Sequence, residues 1–148
     1  MNAAILALVL IGGILSNCSS SASSIYAQTL ASMKKRTSGA GSLDVTLQAS
    51  SNPIVKNRQT NFTVTFDQRT SNALQRHIDY DLTITRDGKQ VFVASALADD
   101  WPLHAAEGIV RTHYVFQQSG NYLVNVTVYG ILFNPTIPES ALFPINVF

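Results

Sequence analysis

Gly120-Asn121-Tyr122-Leu123-Val124-Asn125-Val126-Thr127-Val128-Tyr129-Gly130 is the stretch from which the fold is read. Tyr122, Val124, Val126 and Val128 recur at every second position. A period of two puts one face of a strand into a core and turns the other outward. β-Branched and aromatic side chains fill such a pleated, half-buried surface well. Gln117 to Asn121 reads as the turn into this strand, and Gly130 as its end.

The same period spreads outward in both directions. Leu43, Val45, Leu47 and Ala49 alternate with Asp44, Thr46 and Gln48, and Asn52-Pro53 then breaks the run. Phe62, Val64 and Phe66 make a second strand, and Tyr80, Leu82 and Ile84 a third. Arg86-Asp87-Gly88-Lys89 places an Asp-Gly pair between alternating runs, a hairpin signal because both residues tolerate positive φ. Gln90 to Ser95 returns, and a loop with Asp99-Asp100-Trp101-Pro102 follows. Val110, Thr112, Tyr114 and Phe116 form the next strand, and Phe143, Ile145 and Val147 mark the last. Ile131 to Glu139 holds two prolines and four large apolar residues and reads as a loop. Seven to eight short strands, without an amphipathic helical pattern or an internal repeat, predict an all-β antiparallel sandwich.

The front of the chain has a different character. Ala3 to Leu15 is an uncharged apolar run, too short for a helix to cross a hydrocarbon core of about 30 Å. A Ser-rich stretch follows, and Ile25-Tyr26-Ala27 suits secretory cleavage after Ala27. Residues 1–27 are therefore expected to be a signal peptide, 28–42 a flexible polar lead-in, and 43–148 the sandwich. Leu15-Ser16-Asn17-Cys18 offers a rival site: it resembles a lipoprotein box, in which Cys18 is acylated, except that Asn17 stands where a smaller residue is usual.

Cleavage after Ala27 removes the one cysteine, so no disulfide, thiolate metal site or cysteine nucleophile is expected in the mature chain. The net charge of +1 gives no drive toward nucleic acid. Lys34-Lys35-Arg36 is expected to be a solvated patch in the lead-in.

Gly120-Asn121-Tyr122-Leu123-Val124 resembles the Gly-x-Tyr-x-Cys corner of immunoglobulin-type strands, with Val124 in the cysteine position. That likeness implies an immunoglobulin-like or PKD-like sandwich and says nothing of activity. A second likeness spans His77 to Val147. Ile78-Asp79-Tyr80, Asp87-Gly88-Lys89, Pro102-Leu103-His104, Gly120-Asn121-Tyr122 and Gly130-Ile131-Leu132-Phe133-Asn134-Pro135 look like a module of exported proteins from ammonia-oxidising archaea. Tyr26-Ala27-Gln28 looks like the cleavage site of the same proteins. The likeness implies a surface or extracellular location.

Four groups of residues could carry chemistry, contact or modification. His77, His104 and His113, with Asp79, Asp81, Asp99, Asp100 and Glu107 near them in sequence, combine imidazole and carboxylate donors that suit copper or zinc. Their spacing is no known ligand motif, and the parity of His113 points it outward, so locally hydrogen-bonded surface histidines are the alternative. Binding through imidazole would weaken below about pH 6. Asp99-Asp100 reads as an exposed acidic loop rather than a carboxylate pair. Ile131, Leu132 and Phe133 are candidate partner contacts, the alternative being that they fold back to close the sandwich. Asn61-Phe62-Thr63 and Asn125-Val126-Thr127 are glycosylation sequons, with Asn125 expected to project from its sheet.

No Gly-x-Ser-x-Gly frame and no phosphate-cradling glycine loop is present. The expected role is a non-catalytic, secreted or cell-surface module without a cofactor. It would bind a protein partner, self-associate or build envelope structure, and touch membrane only through an N-terminal anchor. The alternative is a copper- or zinc-binding accessory or delivery domain using His77 and His104.

Overall fold

The computed structural model describes residues 33–148, and the expected signal peptide and Cys18 lie outside them. Among the described residues the alternating runs form nine strands and one short helix. In chain order these are β1 (Met33–Thr37), β2 (Leu43–Ala49), β3 (Gln59–Gln68), β4 (Ile78–Arg86) and β5 (Lys89–Val93). Helix α1 (Ala94–Ala98), β6 (Leu103–Ala105), β7 (Ile109–Val115), β8 (Gly120–Ile131) and β9 (Asn134–Val147) complete the order. No helix among the described residues is long and apolar enough to cross a membrane.

Two antiparallel sheets face each other. One runs β1-β2-β3-β7; the other runs β5-β4-β8-β9, with β6 also paired to β4. The order β2-β3-β7 against β5-β4-β8-β9 matches the immunoglobulin-like arrangement in which strands A, B and E face C′, C, F and G. On that scheme β8 is the F strand, and Tyr122 at its start donates its hydroxyl to Gln118 O at 2.8 Å. This is the bond expected of a tyrosine corner, and Val124 two residues on is fully buried.

Three sequence expectations change. Nine strands replace seven to eight. Met33 to Thr37, expected within a flexible lead-in, form β1 and pair with Thr37↔Asp44 through Met33↔Gln48. This edge strand is exposed on nearly every residue, and a strand without a buried face leaves no period-two signal. Lys35 meets Asp44 at 3.1 Å. Its hydrogen bond, with that of Thr37, holds the Asp44 carboxyl below its ordinary range. Finally, Ile131 to Glu139 is no loop but the far end of a hairpin, with β8 running to Ile131 and β9 starting at Asn134. Pro135 and Pro138 are accommodated because β9 is an edge strand, where a missing N–H costs no ladder bond.

The core is built from inward residues of both sheets. Phe62, Phe66, Phe116 and Phe143 are its largest fully buried side chains. Phe66 on β3 meets Tyr80 on β4 with ring centroids 5.7 Å apart, and Phe116 meets Phe62 and Tyr122 edge-on. Such tilted and T-shaped pairs suit the ring quadrupoles and add to area burial.

Burial, helped by the nearby Asp81 charge, pushes the Tyr80 hydroxyl from about 10 up to about 12. The unfolded chain then loses this proton near pH 10 while the folded chain keeps it to about 12, so the unfolded state binds fewer protons and stability falls as pH rises through that window. The expected loss is on the order of 2 kcal/mol. Denaturant unfolding at pH 9 and pH 11 (roughly below and within the window) checks it. Tyr80→Phe should remove most of the slope; an unchanged slope would place the titrating group elsewhere.

Asp81 is the exception to the expected parity. It faces away from the core on β4 yet is only 5% exposed. β5 pairs with Thr83 to Arg86 and β6 with Ile78 to Tyr80, so Asp81 falls in the gap between them. Helix α1 fills that gap. Its N-cap, Val93, supplies no side-chain bond. Asp81 supplies it instead, accepting from Ser95 N at 3.1 Å and Ser95 Oγ at 2.6 Å, and from Leu82 N at 2.7 Å. A carboxylate at a helix N-terminus satisfies orphan donors and is stabilised by them.

Candidate functional site

At one end of the β4-β8-β9 sheet, four side chains from three separate segments meet. Asp79 lies on β4, opposite His104 on β6 and Gly130 on β8. His104 Nδ1 is 2.7 Å from Asp79 Oδ1. His104 Nε2 in turn is 3.3 Å from His77 Nδ1. Phe133, at the tip of the β8–β9 hairpin, covers both rings: its centroid is 4.3 Å from that of His77 and 5.5 Å from that of His104, nearly parallel to the latter.

Backbone contacts fix each member. His77 has φ 54°. Its N–H donates to Ala106 O at 3.1 Å, and its carbonyl accepts from Leu132 N at 2.8 Å. Gly130 lies so close beneath Asp79 that a Cβ there would come within 2.6 Å of Asp79 Oδ2. Glycine leaves the room that the carboxylate occupies there. Asp79 accepts a hydrogen bond from His104 Nδ1–H, which turns His104 Nε2 toward His77. The side chains of His104 and Asp79 are 36% and 29% exposed, so solvent reaches the group.

The hairpin tip is unusual for its sequence. Leu132 and Phe133 both have positive φ, 52° and 65°. A two-residue turn with both φ positive is the type I′ geometry that matches strand twist, and Asn-Gly is its favoured sequence. Bulky residues there cost about 1–3 kcal/mol each. The contacts that hold them are the Leu132 N–H to His77 O, the Asn134 Nδ2–H to Leu132 O at 3.0 Å, and the stacking of Phe133. Leu132 is 52% and Phe133 69% exposed, whereas Ile131 packs on the core. Of the three candidate contact residues, two therefore face solvent and one closes the sandwich.

The remaining candidates disperse. His113 is exposed on β7 of the other sheet, opposite Asn61, as its parity predicts. Asp81 caps α1, and Asp99 ends that helix in a left-handed conformation. Asp99 and Asp100 are exposed. Glu107 pairs with Arg76 at 2.6 Å across the surface, a contact worth little in water. Asn61 is exposed. Asn125 sits on the outer face as expected, but half-buried, with its Oδ1 enclosed and unbonded. Among the described residues no three or more His, Cys, Asp or Glu side chains converge as a metal-binding set.

Phe133 as the cover of the histidine pair is what sequence reading missed. The signal available was Leu-Phe between two strands, which lacks any residue that favours a type I′ turn.

No protein-family model matches the chain, and no curated protein matches it. Among solved structures, it is similar to the PmoD soluble domain from Methylocystis sp. ATCC 49242 (Rockwell), with 16% identity and a TM-score of 0.48. That likeness covers 76% of this chain and 97% of the other. It is also similar to the PKD domain of an M14-like peptidase from Thermoplasmatales archaeon SCGC AB-540-F20, with 16% identity and a TM-score of 0.39. Here 78% of this chain and 89% of the other are covered. At this identity and score neither domain says what this chain binds.

Proposed function

We propose that this chain is a non-catalytic extracytoplasmic binding module whose contact surface is the Leu132-Phe133 hairpin tip. One observation carries the reading: two bulky apolar residues are held exposed, in a backbone conformation that neither favours. Strain kept at an exposed position points to use of that position, and exposed apolar side chains of this kind mark protein contacts. The apolar run Ala3 to Leu15, the cleavage signature at Ala27 and the resemblance to exported archaeal proteins support export. The partner is then a protein at the cell surface or a second copy of the chain.

The double variant Leu132→Asn, Phe133→Gly tests this directly. Relieving the turn should raise stability by about 1 kcal/mol, after loss of the Phe133 stacking is set against it. Affinity capture from the envelope fraction of the source cells should at the same time lose the partner. A variant that is more stable and still captures the same partner would remove the tip from the interface. A variant less stable than the parent would show that the tip carries no strain.

A further inference from the structure

We infer that His77 Nδ1 and His104 Nε2 form a two-imidazole site for a late first-row divalent cation, copper(II) above zinc(II), with Asp79 orienting His104. The geometry carries it. Imidazole nitrogens bind such cations at about 2.0–2.1 Å, so two of them stand roughly 3.3–3.4 Å apart at the tetrahedral angle of zinc(II) and roughly 2.8–3.0 Å apart at the right angle of tetragonal copper(II). His77 Nδ1 and His104 Nε2 are 3.3 Å apart. Their ring centroids lie 5.5 Å apart. To become a chelate the pair gives up its hydrogen bond: the shared proton moves from His77 Nδ1 to Nε2, and both rings turn until their free lone pairs face one cation.

The surroundings are those of a ligand pair rather than of two chance neighbours. Asp79 Oδ1 accepts from His104 Nδ1 at 2.7 Å. A carboxylate behind an imidazole fixes its tautomer, aims the opposite nitrogen and raises its basicity. The His77 main chain is held through both its N–H and its carbonyl, so the position of its Cα is fixed before binding. Phe133 covers the ring faces, while the 36% exposure of the His104 side chain leaves an entry path.

Imidazole donors select copper and zinc over calcium and magnesium, and copper(II) exceeds zinc(II) at a given nitrogen site. Two protein ligands leave coordination positions for water or for a donor from an incoming molecule. The site is therefore exchangeable.

The test is a calorimetric titration of the untagged full chain with copper(II) and with zinc(II) at neutral pH. One equivalent should bind, copper more tightly. His77→Ala and His104→Ala should each weaken binding at least tenfold, and Asp79→Asn about tenfold, the usual effect of losing the group behind a ligand. His113→Ala and Cys18→Ser should leave it unchanged. Melting curves establish that each variant is folded. In the unaltered protein, copper(II) should broaden the imidazole resonances of His77 and His104 and spare His113, a readout that needs no substitution. No binding overturns the proposal. So does binding indifferent to His77→Ala and His104→Ala, or binding lost with His113→Ala or Cys18→Ser. Partner capture at the hairpin tip is a separate readout, so either proposal can fail alone.

Discussion

Val124→Asp is expected to leave little folded protein at room temperature. Val124 has no exposed surface and stands between Ile84 on β4 and Phe143 on β9, both equally buried. The backbone groups around it are spent on the two ladders, so the new carboxylate finds no donor. The fold itself shows what a buried carboxylate requires. Asp81 is accommodated because three donors converge on it from Leu82 and Ser95. Glu139, 4% exposed, accepts from Ala40 N and Ser42 N. Position 124 offers nothing of the kind. An unpaired buried carboxylate costs about 4 kcal/mol or more, or takes up a proton, out of the roughly 5–15 kcal/mol that holds a domain together. Val124→Ala, which opens a cavity without adding charge, should cost only about 2 kcal/mol. Thermal melts of both variants check the pair. A Val124→Asp protein that melts like the parent would mean that β8 turns its other face inward.

Gly108→Ala is expected to be nearly as damaging, for a reason of backbone rather than charge. Gly108 has φ 71°, and a Cβ on it would stand 2.2 Å from Gln75 O and 3.0 Å from the Gln75 carbonyl carbon. The obstacle is main chain, which cannot swing aside as a side chain would. Nor can the two segments part freely. Phe66 N donates to Gly108 O at 3.0 Å, and Gln75 N donates to Phe66 O at 2.7 Å. Separating residue 108 from residue 75 therefore breaks the bonds that fix Phe66, a fully buried ring. Left-handed strain and overpacking together come to about 3–5 kcal/mol, a fall in Tm of roughly 10–20 °C. Because Gln75 leads directly into His77, the same variant should also loosen the histidine pair. An unchanged Tm would show that the 75–77 segment is not held against the β6–β7 turn.

The sandwich was legible because its signal is local. Leu43, Val45 and Leu47, Phe62, Val64 and Phe66, and Tyr122, Val124 and Val126 all point inward as their alternation requires. Asp87-Gly88 turns with positive φ at both residues, as an Asp-Gly pair should. Burial imposes a period of two on any strand with one wet face, and that period survives in a single sequence. Where no face is buried, as in β1, the rule has nothing to act on. Where a helix covers the outer face, as at Asp81, parity misleads because it reports direction and not depth.

The sequence named His77 and His104 as a pair and set His113 apart by parity, but His77 and His104 are 27 residues apart, and nothing local brings Asp79 behind His104 or Phe133 over both rings. Strand pairing does so: β6 docks on β4 and carries His104 to Asp79, while β7 joins the other sheet and takes His113 away. The tip residues show the same limit, since Leu132-Phe133 has no turn chemistry of its own and is bent by the register of β8 against β9 and by the contacts to His77, His104 and Asn134. Sequence alone thus determined which residues face the core, because that depends on neighbours two positions away. Tertiary structure alone decided which polar groups meet, because that depends on pairings between strands whose order no local pattern encodes.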